Sequence, residues 1–85
     1  MKISDLEFQS HPYMRGIHAR HTFPNGYGIS VVRTTASLGG RDGLYEVAVL
    51  KNNSICYDTP ITNDILGYQT EEDINNIINK IEVLS

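Results

Sequence analysis

Several features that would assign this 85-residue chain to a particular class of protein are missing from it. Cysteine occurs once, at Cys56, so no intramolecular disulfide can form and a reducing compartment is expected. No apolar run approaches the ~20 residues that cross a bilayer. The opening residues 1–5 lack the charged and apolar blocks of a signal peptide. These absences predict a soluble, cytoplasmic protein without membrane contact.

The residues that usually carry chemistry also lack the necessary spacing. His18 and His21 are three apart in a predicted strand, so they point to opposite faces and cannot chelate one metal ion together. His11 lies apart from them. Cys56 is predicted to be a small buried strand residue rather than an activated nucleophile. The glycines at 26 and 28 enter a strand, whereas a phosphate-binding loop leads into a helix. The sequence therefore predicts no catalytic, cofactor-binding or metal-binding residue, and an enzyme is not expected.

The composition is that of one globular domain over residues 1–85. Apolar residues make up 40% and charged residues 20%, which argues against disorder. The net charge of −3 hides a division, because residues 1–41 carry five cations and two acids while residues 42–85 carry two cations and eight acids. The basic half makes a nucleic-acid-associated protein the alternative function, although few arginines and an acidic pI weaken it.

The clearest structural signal is a hairpin within residues 43–58. Strand-forming residues run from Leu44 to Leu50 and from Ile55 to Tyr57. Between them lies Asn52-Asn53, and asparagine tolerates the positive φ of a two-residue hairpin turn. This turn predicts a register that places Lys51 opposite Ser54, Leu50 opposite Ile55, Val49 opposite Cys56 and Ala48 opposite Tyr57.

An earlier hairpin is predicted from residues 17–23 and 28–34, joined by the turn residues Pro24-Asn25-Gly26. Residues 35–42 are expected to form a flexible loop because they contain Gly39-Gly40 and no periodicity. Further on, Thr62 or Asn63 could cap a short helical turn that Gly67 ends. The first residues fit either a short helical turn capped by Ser4 or an edge strand.

The last segment has the pattern of an amphipathic helix. Thr70 is a good N-cap and Asp73 stands at the capping-box position, with acids in the first turn. An apolar stripe with helical spacing follows, at Ile74, Ile77, Ile78, Ile81 and Leu84. The predicted fold is α+β: a four-stranded antiparallel sheet of two hairpins, with this helix packed on one face.

Three stretches, FPNGYGISVVR, GLYEVAVL and DTPITNDILGYQTEEDI, lie within residues 23–81. In these stretches the chain resembles small bacteriophage-encoded accessory proteins, most of them without an assigned activity. The resemblance implies a protein made inside an infected bacterium. It further implies binding to a host defence or metabolic protein, with inhibition or modulation of that protein. It transfers no site residue.

The candidate partner-binding residues are Arg41, Arg33 and Arg20. Arg41 stands in the glycine-rich loop, and arginine is enriched at interface hot spots. Arg33 and Arg20 lie on strands that the first hairpin joins, so they are expected to extend the same surface. An apolar sheet face left open would bind the host protein or a second copy in a homodimer.

Overall fold

The computed structural model describes residues 1–62 and 64–84. The described residues form six strands and one α-helix, in the order β1 (Gln9–Ser10), β2 (Gly16–Thr22), β3 (Tyr27–Thr34), β4 (Tyr45–Lys51), β5 (Ser54–Ile55), β6 (Leu66–Gln69) and α1 (Glu71–Glu82). Short 3-10 turns occur at Ile3–Asp5 and Gly40–Asp42. All pairings are antiparallel, with β1 to β4 in sequence order and both β5 and β6 on the far edge of β4. The α+β class is confirmed, but the sheet has more than the four strands predicted.

The β4–β5 turn has the backbone that its two asparagines favour. Asn52 has φ 51° and Asn53 has φ 67°. The predicted register is confirmed for both ladder pairs, Leu50 with Ile55 and Lys51 with Ser54. Beyond them, Cys56 still donates its N–H to the Val49 carbonyl at 2.8 Å, but its side chain is only half-buried. The strand ends at Ile55, so the predicted pairing of Tyr57 with Ala48 is wrong.

Strand β6 occupies the position along β4 that the short β5 leaves open. Leu66 pairs with Val47, and Gln69 pairs with Tyr45, with a bulge between the two pairs. The helical turn expected around residues 62–67 is therefore wrong where the structure describes it, and Asn63 lies outside the described residues. The physical reason is that the backbone groups at the start of β4 need hydrogen-bond partners, which a local turn cannot supply.

Of the two alternatives for the first residues, the short helical turn is the one that forms, but Lys2 and not Ser4 is at its N-cap position. A 3-10 turn comes first, and the edge strand β1 follows and pairs with β2. The turn buries Ile3 and Leu6 against the core. The Ile3 N–H donates to Oδ1 of Asn75 on α1 at 2.7 Å, so this segment is fastened to the helix.

Helix α1 begins as its sequence predicts. The Asp73 N–H donates to Oγ1 of Thr70 at 3.1 Å, and the Thr70 N–H donates to Oδ2 of Asp73 at 2.9 Å. The backbone N–H of Thr70, and after it the Thr70 hydroxyl, holds the pKa of Asp73 below its ordinary value. The predicted stripe is buried at Ile74, Ile77, Ile78 and Ile81.

The C-terminal end of α1 is capped by a residue far away in sequence. Nδ2 of Asn25, in the β2–β3 turn, donates to the carbonyls of Ile81 at 2.9 Å and Leu84 at 3.0 Å. The last carbonyls of a helix have no partner within the helix, so this side chain supplies one. The first hairpin and the helix are thereby joined at the end of the sheet opposite the chain's loop 35–44.

The core lies between α1 and one face of the sheet. Strand residues on that face include Ala19, Ile29, Val31, Tyr45, Val47 and Val49. The other face, called here the outer face, carries Ala48 and Leu50, which are buried but lie outside this core. The helix thus covers one face, as predicted.

Candidate interaction surface

The loop between β3 and β4 is held in place by hydrogen bonds to two strands. The Leu38 N–H donates to Oε1 of Glu46 on β4 at 3.1 Å. The Leu38 carbonyl accepts from the N–H of Tyr68 on β6 at 3.2 Å. Both backbone polar groups of Leu38 are therefore fixed, and the loop becomes part of the sheet's edge. The sequence predicted a loop here but not this docking on β6.

The two loop glycines permit close packing. Gly39 is buried with φ 89°, and a Cβ there would lie 2.9 Å from the Tyr68 Cα. A Cβ on Gly40 would overlap the carbonyl oxygen of Thr34. Side chains at these positions would push the loop away from β3 and β6. The Gly-Gly pair is thus explained by backbone approach, which the sequence interpretation had attributed to mobility.

Tyr68 has a backbone conformation that tyrosine rarely adopts. Its φ is 55°, in the left-handed region, where a Cβ crowds the backbone at a cost of ~1–2 kcal/mol. The other positive-φ residues in the described chain are asparagines and glycines, for which this region is much less costly. Burial does not offset this cost, since the residue is 59% exposed.

Leu38, Arg41 and Tyr68 together are called the Tyr68 surface. Leu38 is 50% exposed although its backbone is fixed, and it packs against the backbone of Gly67 beside Tyr68. Arg41 is exposed in the 3-10 turn of the same loop, and its Nε donates to the Thr35 carbonyl at 3.1 Å. An aliphatic, an aromatic and a cationic side chain are therefore displayed from one constrained backbone. Fixed backbone positions reduce the entropy lost when such side chains bind a partner.

The three predicted arginines do not form one surface. Arg20 lies opposite Ser30, and Arg33 lies opposite Ile17, so the two face opposite sides of the sheet. Arg20 crosses the outer face, and its guanidinium donates to the Asn53 carbonyl at 2.9 Å, far from Arg41. The expectation that Arg20 and Arg33 extend the same surface is wrong. The hairpin register set by the Asn25-Gly26 turn already predicts this result. Arg33 pairs with Ile17 and shares its face, and positions 17 and 20 of one strand face opposite sides because they differ by an odd number.

Arg33 is engaged with the core side of the sheet. Its guanidinium carbon lies 5.1 Å from the centre of the Tyr45 ring, and Nη1 donates to the Tyr45 hydroxyl at 3.3 Å. Tyr45 is buried, and Arg33 is half-buried over it. A cation placed over an aromatic face stabilises this arrangement. Of the three arginines, Arg41 is the one in the β3–β4 loop, whose residues Leu38 and Gly39 approach Tyr68.

The histidines occupy both faces, as the sequence predicted for His18 and His21. His21 stacks edge-on against Phe23 with ring centres 4.8 Å apart. His18 instead approaches His11, with ring centres 5.3 Å apart, a proximity that the sequence interpretation missed. No group of three metal-ligating side chains occurs among residues 1–62 and 64–84. Within the same ranges, no helix is both long and apolar enough to span a bilayer.

Comparison of the chain with protein-family models, with curated proteins and with solved structures finds no match.

Proposed function

We propose that this protein is a bacteriophage accessory protein that binds a host protein through the Tyr68 surface and inhibits or modulates it inside the bacterial cytoplasm. The observation that carries the proposal is Tyr68 itself, an exposed residue with an unfavourable φ of 55°. Strained backbone held in place by its surroundings is concentrated at sites of binding and catalysis. The resemblance in residues 23–81 supplies the phage and host part of the proposal.

The neighbours of Tyr68 fit a protein partner. Leu38 and Tyr68 leave apolar surface in water whose burial would stabilise a complex by ~25 cal/mol per Å². Arg41 is exposed in the same loop as Leu38, and tyrosine and arginine are both enriched at binding hot spots. Among the described residues, no carboxylate lies within ion-pair distance of Arg41. The partner's matching patch is therefore expected to combine an apolar pocket with a carboxylate.

The first experiment locates the partner by position-specific photo-crosslinking. A photo-reactive phenylalanine analogue is introduced at Tyr68 in one variant and at Val83 in the control. Val83 is 81% exposed but lies at the far end of α1. In infected or expressing bacteria, we expect one host protein to crosslink through position 68 and not through position 83. The same crosslinks from both positions would contradict the proposal, and crosslinks between two copies of the chain would replace it with a homodimer.

The second experiment measures affinity for that purified host protein. Tyr68→Asn keeps a residue that tolerates positive φ and removes the ring, so it tests the side chain alone. We expect it to weaken binding by about 30-fold, the effect of a hot spot worth ~2 kcal/mol. Arg41→Ala is expected to weaken binding less, and Arg20→Ala, whose side chain reaches the β4–β5 turn at the opposite end of the sheet, serves as its matched control. Unchanged affinity in Tyr68→Asn would overturn the surface assignment.

The alternative, a nucleic-acid-associated protein, makes a different prediction. Arg20→Ala, Arg33→Ala and Arg41→Ala would then weaken DNA or RNA binding to similar extents. The affinity would also fall steeply between two salt concentrations, because phosphate contacts release counterions. Binding to the crosslinked host protein that persists at the higher salt concentration, together with no measurable affinity for DNA or RNA, would exclude this alternative.

A further inference from the structure

A second group of exposed side chains lies at the same end of the sheet as the Tyr68 surface. It is the tip of the β1–β2 hairpin, residues 11–15, called here the His11 tip. Tyr13 is 89% exposed, Met14 is 47% exposed, and Arg15 is exposed. The Arg15 carbonyl accepts from the N–H of Thr35 at 3.1 Å, and the Thr35 carbonyl accepts from Arg41. One residue of the β3–β4 loop therefore links the tip to the Tyr68 surface.

The shape of the tip depends on one nitrogen of one histidine. Nδ1 of His11 accepts from the N–H of Tyr13 at 3.2 Å and from the N–H of Met14 at 3.1 Å. A nitrogen that accepts N–H groups must keep its lone pair, so these two hydrogen bonds require an imidazole whose proton is on Nε2. The His11 ring also meets the Tyr13 ring edge-on, with centres 6.3 Å apart. The histidine therefore organises the backbone that displays Tyr13.

Protonation of His11 would break both hydrogen bonds. An imidazolium carries N–H on both nitrogens, and Nδ1–H would then face two backbone N–H groups. The titratable groups that face His11 are the Tyr13 ring on its own tip and the His18 ring on β2. Among the described residues no carboxylate lies within ion-pair distance of His11 to stabilise its charge, and a protonated His18 would repel it.

Building on the proposed function, we infer that the His11 tip is a second contact element for the same host protein, displayed only while His11 is uncharged. Tyrosine, methionine and arginine, the residues of the tip, are enriched in protein interfaces. Tyr13 protrudes as a convex side chain, so it fits a concave apolar pocket on the partner. Arg15 beside it has no carboxylate partner in the described residues and fits an acidic rim to that pocket. Binding through the tip weakens as the pH falls.

The tip's dependence on His11 is tested without any partner. Imidazole ¹⁵N shifts at pH 7.5 report the tautomer, and we expect unprotonated Nδ1 in His11. The amide protons of Tyr13 and Met14 should shift upfield together when acid adds a proton to Nδ1 of His11. His11→Asn keeps an oxygen that accepts from residues i+2 and i+3 but does not titrate, so its two amide shifts should stay constant. A protonated Nδ1 at pH 7.5, or unmoved amides in the wild-type chain, would overturn the inference.

The contact itself is tested by crosslinking from position 13. The photo-reactive phenylalanine analogue replaces Tyr13, and the target is the purified host protein that crosslinks through position 68. We expect crosslinks at pH 7.5 whose yield drops at least fivefold at pH 5.5, and no such drop when His11→Asn is added. His18→Gln is the matched control and should keep the pH dependence. If position 68 crosslinks and position 13 does not, the tip inference alone fails. If position 68 captures no host protein, the proposed function fails, and the tip's role as a contact element fails with it.

Discussion

The buried stripe of α1 and the Tyr68 surface use apolar side chains in opposite ways. On the helix, Ile74, Ile78 and Ile81 have no exposed surface, and each fully buried side chain of this kind stabilises the fold by ~1.5–3 kcal/mol. On the Tyr68 surface, Leu38 and Tyr68 keep half or more of their area in water. The helix stripe stabilises the fold, whereas the exposed apolar area and strained backbone of the Tyr68 surface do not. An exposed apolar surface on a strained backbone is what the proposed partner-binding role requires.

Positive φ angles sharpen this contrast. Asn52 and Asn53 have the same left-handed backbone as Tyr68, but they lie in a two-residue turn that requires it. Asparagine accepts this conformation at little cost, and tyrosine does not. The hairpin turn, which requires positive φ, is therefore formed by asparagines, which tolerate it. On the candidate interaction surface, the same conformation is adopted by a tyrosine, for which it is unfavourable.

The largest expected effect is the loss of the buried stripe. Ile77→Asp places a carboxylate among isoleucines, and an unpaired buried charge costs several kcal/mol, which is comparable with the whole stability of a small domain. We expect this variant to be unfolded at 25 °C by circular dichroism. Asn76→Asp, on the exposed face of the same helix, should melt within a few degrees of the wild-type chain. Equal melting temperatures would show that α1 does not pack on the sheet.

The next effect concerns the packing that holds the Tyr68 surface. Gly40→Ala puts a methyl group into the Thr34 carbonyl, and such overpacking costs roughly 1–3 kcal/mol. Gly43→Ala is the control, since a Cβ there meets nothing within 4 Å and only its φ of 75° is unfavourable. Urea unfolding should show the larger loss for Gly40→Ala. A larger loss of stability for Gly43→Ala would mean that the β3–β4 loop can move away from β3 at little energetic cost.

The N-cap of α1 is expected to contribute about 1 kcal/mol. Thr70→Ala removes the oxygen that accepts from the Asp73 N–H and should lower the free energy of unfolding by ~1 kcal/mol. Thr70→Ser, which keeps the oxygen, should be close to wild type. Urea unfolding of both variants measures the difference, and an unchanged Thr70→Ala would show that the capping box is not needed.

Relief of the strain at Tyr68 should be small and of opposite sign. Tyr68→Asn is expected to raise the free energy of unfolding by up to ~1 kcal/mol, because asparagine tolerates φ 55° better. The same variant is the one expected to lose partner affinity. A gain in stability with a loss of binding is the trade-off found where a site keeps strain for function. A clear loss of stability would instead assign Tyr68 a structural role.

The smallest effect is the response of the helix cap to acid. Because the folded chain holds the pKa of Asp73 below the ordinary 3.8, the ionised carboxylate stabilises the fold above that pH. This contribution is lost as the pH falls below 3.8 and through the lower folded value. Asp73→Asn should therefore show a shallower decline of melting temperature between pH 5 and pH 2.5. An identical decline in both chains would contradict the assignment.

The sequence alone was sufficient for those elements whose signals are local. The capping box at Thr70 and the isoleucine spacing predicted α1, and Asn52-Asn53 predicted both the β4–β5 turn and its ladder pairs. These signals work because helix caps, helix stripes and two-residue turns are specified by residues within a few positions of each other. The placement of Arg20 and Arg33 on opposite faces was also contained in the first hairpin's register, although counting along the strands was needed to see it.

Only the tertiary structure decided the parts that depend on distant segments. Strand β6 forms because β5 is too short to pair the whole edge of β4, and nothing within residues 66–69 signals that need. Asn25 caps α1 from more than fifty residues away, and the carbonyl of Leu38 accepts from the N–H of Tyr68 on a strand that is distant in sequence. The candidate site was missed for this reason. The exposure and the backbone strain of Tyr68 depend on which segments pack around it in the folded chain. A sequence pattern shows only which residues are close along the chain.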